Sequence, residues 1–174
     1  MDALKEFSIP IKGLGIGVHE YDFEIDDSFF KHFENSPVQQ GKLMLHLSID
    51  KQSSMYVLDF DFEGGINTAC DRCLADIMLP TAGSQRLLVK FSEDVGESDD
   101  DIIYISRDAA FLNIAQYAFE YICLAIPISK VYDCHLDEPM PCNEKVVNYL
   151  MDNNEEKIQN NKDNPLWDAL KNLK

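Results

Sequence analysis

Within the stretch NTACDRCLADIMLP, residues 67 to 80, Cys70 and Cys73 bracket two residues. That C-x2-C spacing lets two thiolates face one tetrahedral ion, and zinc then needs two further ligands. The stretch DCHLDEPMPCN supplies them as His135 and Cys142, with Cys134 beside His135. Cys70, Cys73, His135 and Cys142 form a chemically complete Cys3His set with no position left for water. The expectation is a structural zinc site, with Cys134 as the alternative ligand if His135 faces away. The plain alternative is four ordinary, partly buried residues in two unconnected places. Cys123, one turn from Phe119 in a helical pattern, reads as a small core residue. A redox role for Cys70 and Cys73 would require a low-pKa thiol at a helix N-terminus in a βαβ setting, and the flanks read as strands.

Other candidate chemistry is thinner. His19, His32 and His46 stand singly and read as strand or helix surface residues. Asp59 and Asp61 share a strand face, as paired acid/base carboxylates could. Yet Glu63 extends that row, and Glu20, Asp22 and Glu24 repeat it on another strand. A solvated or partner-facing acidic sheet surface accounts for all six. GLGIGVHE has glycines but neither a phosphate-loop lysine nor a following helix. No nucleophile, base and orienting group occur as a set.

The elements that must position these residues are mostly strands. In VHEYDFEID, His19, Tyr21, Phe23 and Ile25 alternate with acids, the period of a half-buried strand. KLMLHLSID places Leu43, Leu45, Leu47 and Ile49 on one face; YVLDFDFEGG does the same for Tyr56, Leu58, Phe60 and Phe62. Gly64-Gly65 reads as a turn before a further strand at INTAC, and ADIMLP and QRLLVKFSED continue an antiparallel series. A short helix is expected from Asp26-Asp27-Ser28, carrying Phe29, Phe30 and Phe33. EDVGESDDD, with six acids in nine residues, is a solvated loop before the short strand DIIYIS. The main helix is expected from a cap at Asp108 through Phe111, Ile114, Ala118 and Ile122 to Pro127. Residues 152–164 read as a polar linker. Residues 165–174, NPLWDALKNLK without its Asn164 cap, read as a C-terminal helix. The expected fold is α+β: a mainly antiparallel sheet packed by one principal helix in a single domain over 1–151, with the C-terminal helix tethered to it.

Composition narrows the partners. The chain of 174 residues has 31 acidic and 15 basic side chains, a formal net charge of −16. Phosphate-backbone binding normally uses a basic patch, so this balance favours basic protein partners steered by the field. Hydrophobic residues, 45% of the chain, suffice for a core. The beginning MDALKEFSIP lacks the basic and apolar regions of a secretory signal. No apolar run approaches the roughly 20 residues of a membrane helix. A soluble cytoplasmic protein without a membrane role or a small-molecule substrate is expected. The odd cysteine count, five, argues against a disulfide framework.

CDRCL in a β-rich segment, the following acidic loop and helix ending AIPI, the downstream H-x6-C-N and the closing NPLWDALKNLK together resemble the YceD family of large-subunit ribosomal RNA accumulation proteins. The resemblance rests on Cys70, Arg72, Cys73, Leu74, Pro127 and the tail from Trp167 to Leu173. In much of that family the second ligand pair looks like cysteines; here His135 takes one expected place and Cys142 keeps the other. The resemblance implies a non-enzymatic cytoplasmic factor that supports large-subunit ribosomal RNA, meeting basic ribosomal proteins or large-subunit precursor particles. Direct RNA contact through Arg72, Arg86 and Lys90 is the weaker picture. Two other functions stay open: an acidic, zinc-stabilised adaptor unrelated to ribosomes, and a metal- or thiol-dependent enzyme.

Overall fold

The computed structural model describes residues 3–92, 102–131 and 137–150. The acidic loop at 93–101, the linker at 152–164, the C-terminal helix at 165–174, and His135 and Cys134 therefore lie outside the described residues. Among the described residues the principal elements are, in order, β1 (Ser8–Ile9), β2 (Gly17–Ile25), α1 (Asp27–Phe30), β3 (Gly41–Lys51), β4 (Met55–Ala69), β5 (Asp76–Phe91), β6 (Ile102–Ile105), β7 (Leu112–Asn113) and α2 (Ala115–Ala125). Residues 144–150 are also helical. The fold is α+β as expected, with α2 as its principal helix.

The main sheet has the order β2-β3-β4-β5-β6, and β1 and β7 form a separate antiparallel pair. β2, β3 and β4 pair antiparallel, from Gly17↔Lys51 to Ile25↔Leu43 and from Gly41↔Ile66 to Lys51↔Tyr56. β6 departs from the series by pairing parallel with β5. Alternation of side chains is the same in both senses, so strand direction was not encoded in the pattern.

Period-two alternation separates the two sheet faces. Leu43, Leu45, Leu47, Ile49, Tyr56, Leu58, Phe60 and Phe62 are all buried. Each such side chain removed from water contributes roughly 1.5–3 kcal/mol, so register is held firmly: a slip of one residue would expose the whole set. α2 lies against this face, with Tyr121 meeting Phe60 edge-on at 5.2 Å between ring centroids. Phe119 stacks on Phe33 at 4.0 Å. The amino-terminal segment closes the same core, Phe7 packing on Phe23 and Phe29 at 5.1 and 4.9 Å.

Three local expectations change. Gly64-Gly65 is no turn: both lie inside β4, a continuous strand of 15 residues. Gly64 has φ +154, and a Cβ there would collide with the Lys42 carbonyl and come within 2.6 Å of Leu43 Cα. Gly64 thus answers the close approach of β3, whereas a Cβ at Gly65 would meet the Met78 side chain of β5; both show a second meaning of glycine in a strand. ADIMLP and QRLLVKFSED likewise merge into one 16-residue strand, β5. The main helix begins at Ala115, not near Asp108. Leu112-Asn113 pairs with Ser8-Ile9 first, and Phe111 is 65% exposed. The side chain of Asn113 accepts from the Ala115 N–H at 3.0 Å while donating to Leu4 O and Ser8 Oγ. Tertiary pairing has overridden the helical period there. α1 starts as read, Asp26 capping it by accepting from the Ser28 and Phe29 N–H groups at 2.8 and 3.3 Å, but it ends at Phe30 and leaves Phe33 beyond it.

The chain divides into two compact units, Met1–Thr68 with Met78–Lys130, and Ala69–Ile77 with Val131–Lys174. The acidic sheet face belongs to the first and the Cys70–Cys73 turn to the second.

Candidate functional site

In the second unit, residues 70–75 form the link between β4 and β5. The Cys70 N–H donates to Ala75 O and the Leu74 N–H to Cys70 O, both at 2.8 Å, tying the loop into a tight knuckle. Closing it forces Leu74 to φ 57, a left-handed conformation that costs a leucine about 1–2 kcal/mol. Its side chain is nonetheless 72% exposed. Nothing in the apolar pattern announced this residue; its signal was the demand of the two-cysteine turn for a left-handed closing residue.

Cys70 and Cys73 are free thiols, 3% and 0% exposed. Cys73 Sγ accepts N–H bonds from Asn143 and Ala75, which hold its pKa below the ordinary thiol value; burial opposes this, and Cys70 and Arg72 assist. The Asn143 carbonyl accepts from the Val146 and Val147 N–H groups at 3.1 Å and so opens the helix at 144–150. The same backbone therefore presents a donor to Cys73 and starts a helix. Arg72 Nη2 donates to Cys142 Sγ at 3.4 Å, and Cys142 is disulfide-bonded.

Cys70, Cys73 and the Cys142–Asn143 corner thus meet in one neighbourhood, so the alternative of two unconnected places does not hold for these three. Among the described residues, no three His, Cys, Asp or Glu side chains form a metal-holding group. Two buried thiols, with Cys73 supported by two N–H groups, suit a soft, thiophilic cation; a full set requires Cys142 as a thiolate and a fourth donor. Cys123 is a different kind of thiol, pushed up to about 11 by burial and then by Glu120, which keeps it protonated and unreactive.

In the first unit, the polar face of the sheet gathers all six carboxylates singled out by alternation. Cross-strand register aligns them as Glu20–Ser48–Asp59, Asp22–His46–Asp61 and Glu24–Met44–Glu63. Three are paired: Glu24 with Lys42 at 2.9 Å, Asp22 with His46 at 2.7 Å and Asp59 with Arg86 at 2.6 Å. Glu20, Asp61 and Glu63 make no ion pair among the described residues. Arg86, one of the cations considered for RNA contact, is bound in a fork to both Asp59 oxygens. His46, read singly as a surface residue, stands between two carboxylate strands, and its hydrogen bond to Asp22 raises its pKa. Its even-numbered place on the polar face of β3 was the available signal. An open depression lined by Asp22, Met44, His46, Asp61 and Glu63 lies on this face.

No helix among the described residues is long and apolar enough to cross a membrane. Residues 58–174 match the family model described as "Large ribosomal RNA subunit accumulation protein YceD". Neither curated proteins nor solved structures give a match to the chain.

Proposed function

The chain belongs to the YceD family, and on that premise we propose that it is a non-enzymatic, cytoplasmic ribosome-biogenesis factor. In this reading it supports accumulation of large-subunit ribosomal RNA through contacts with basic ribosomal proteins or large-subunit precursor particles. The family match over residues 58–174 carries the reading. The acidic sheet face supports the choice of partner, because three of its carboxylates make no ion pair among the described residues and the field around it draws in positive charge. Arg72 and Lys90 leave direct RNA contact as the lesser contribution, since the surrounding charge is of the wrong sign.

Within this proposal the Cys70–Cys73 knuckle is half of a structural zinc clasp completed by Cys142 and His135, or by Cys134 in place of His135. Bound zinc would supply cross-linking of the knuckle to the 142–143 corner. Cys70 and Cys73 would hold it, with the Asn143 and Ala75 N–H groups favouring the thiolate at Cys73. Protein purified under reductant is expected to contain one equivalent of zinc per chain by elemental analysis. Cys70→Ser, Cys73→Ser protein without loss of zinc would remove the clasp from the proposal.

The deciding experiment measures the ratio of large- to small-subunit ribosomal RNA after depletion, with rescue by the wild type or the Cys70→Ser, Cys73→Ser form. The proposal expects a falling ratio restored by the wild type. An unchanged ratio, with no sedimentation alongside large-subunit precursors, would instead favour an acidic adaptor unrelated to ribosomes.

A further inference from the structure

Among the described residues the main sheet ends on β2, which has one neighbour, β3. Its nine residues pair with β3 at every position from Gly17 to Ile25, with no bulge. Among the described residues, no backbone hydrogen bond is made on the other side of β2. A row of free N–H and C=O groups is a template for another strand. Natural edges are blunted by proline, bulges, short length or inward charge. β2 has no proline, an unbroken register, and His19, Tyr21, Phe23 and Ile25 on its core side. The far edge of the sheet, β6, has only four residues.

Side chains decide what such a strand would be. The outward positions of β2 are Val18, Glu20, Asp22 and Glu24, all exposed. Pairing β2 with a second copy of itself would set carboxylates against carboxylates, which is destabilising. A segment with cations at alternate positions would meet Glu20, Asp22 and Glu24 in turn, with Asp59, Asp61 and Glu63 two strands further in. On the core side Tyr21 and Phe23 are only half covered. The intervening positions of an added segment would extend that apolar surface.

We propose that β2 takes up, by strand addition, an extended protein segment with Lys or Arg at alternate positions and apolar residues between them. Main-chain hydrogen bonds to the free edge supply affinity, and the Glu20–Asp22–Glu24 row selects charge and register. This names how a basic partner would be held, and it rests on the proposed function only for the source of the segment.

The test uses the full chain and a capped (Lys-Val)4 octapeptide, with amide hydrogen exchange followed by NMR. Alternate β2 amides, those not bonded to β3, should gain protection on peptide addition. Glu20→Gln, Asp22→Asn, Glu24→Gln should weaken binding by about tenfold or more. Two further peptides, N-methylated at every Lys or at every Val, keep the charge but each lose one edge of the strand, and at least one should fail to bind the wild type. Binding without protection in β2, equal binding by both N-methylated peptides, or no binding would overturn strand addition. A ribosomal RNA ratio that falls on depletion while β2 stays unprotected would overturn this inference alone. Protected β2 with an unchanged ratio would overturn the ribosomal reading alone.

Discussion

Leu74 shows how much of this protein's behaviour is set at single residues. Its left-handed backbone is required by the knuckle, yet its side chain is turned largely to solvent. Replacing it by glycine should relieve steric strain of about 1–2 kcal/mol, offset in part by the greater freedom of glycine in the unfolded chain. Leu74→Gly should therefore raise the urea midpoint by a net gain of up to about 1 kcal/mol; a loss of stability would mean that Leu74 packs against something. His46 offers a second residue-level test. Its bond to Asp22, aided by nearby Asp22, Glu20 and Asp61 charge, raises its pKa. That attraction stabilises the fold fully below the ordinary histidine pKa of about 6.5 and is lost as pH rises through the higher folded value. An NMR titration of His46 should show the raised pKa, and Asp22→Asn should bring it back toward the ordinary value. The position of His46 on the polar face was legible from alternation in β3, whereas the Asp22 partner was not, because register depends on which strands pair.

Elements were legible where burial and period agreed, and misread where tertiary contacts outweighed local preference. The buried rows of β3 and β4 and the Asp26 cap of α1 follow from patterns within a few residues. The start of α2 does not, because pairing of Leu112-Asn113 with Ser8-Ile9 joins residues about a hundred positions apart. The two-cysteine knuckle was legible from its spacing; its approach to Asn143 depends on chain folding over some seventy residues. Gly64 is the sharpest case, since glycine in a strand sequence signals a turn or a close contact equally well. The close contact makes a specific prediction. A methyl at Gly64 would run into the β3 backbone at Lys42 and Leu43, and its φ of +154 disfavours any L-residue. Gly64→Ala should destabilise the protein by about 2–3 kcal/mol in equilibrium denaturation. Gly13→Ala, where a Cβ meets nothing within 4 Å, should change stability little and serves as the control.

At the scale of the molecule, the charge of −16 is concentrated in part on a sheet face where carboxylates stand across and along the strands from one another. Like charges at such spacings repel, so the face weakens the fold that displays it. Solubility alone would be served as well by acids scattered over the surface. If the face exists to meet a basic partner, stability and association should respond in opposite directions when it is neutralised. Glu20→Gln, Asp61→Asn, Glu63→Gln changes only carboxylates without an ion pair among the described residues, leaving the Asp22–His46, Glu24–Lys42 and Asp59–Arg86 pairs intact. This variant should melt a few degrees higher than the wild type at low salt, with the difference shrinking as salt screens the repulsion. It should also lose much of its co-sedimentation with large-subunit precursors. Higher Tm with undiminished co-sedimentation would assign the acidic face to solubility and move the search for the partner surface to the exposed knuckle at Arg72 and Leu74.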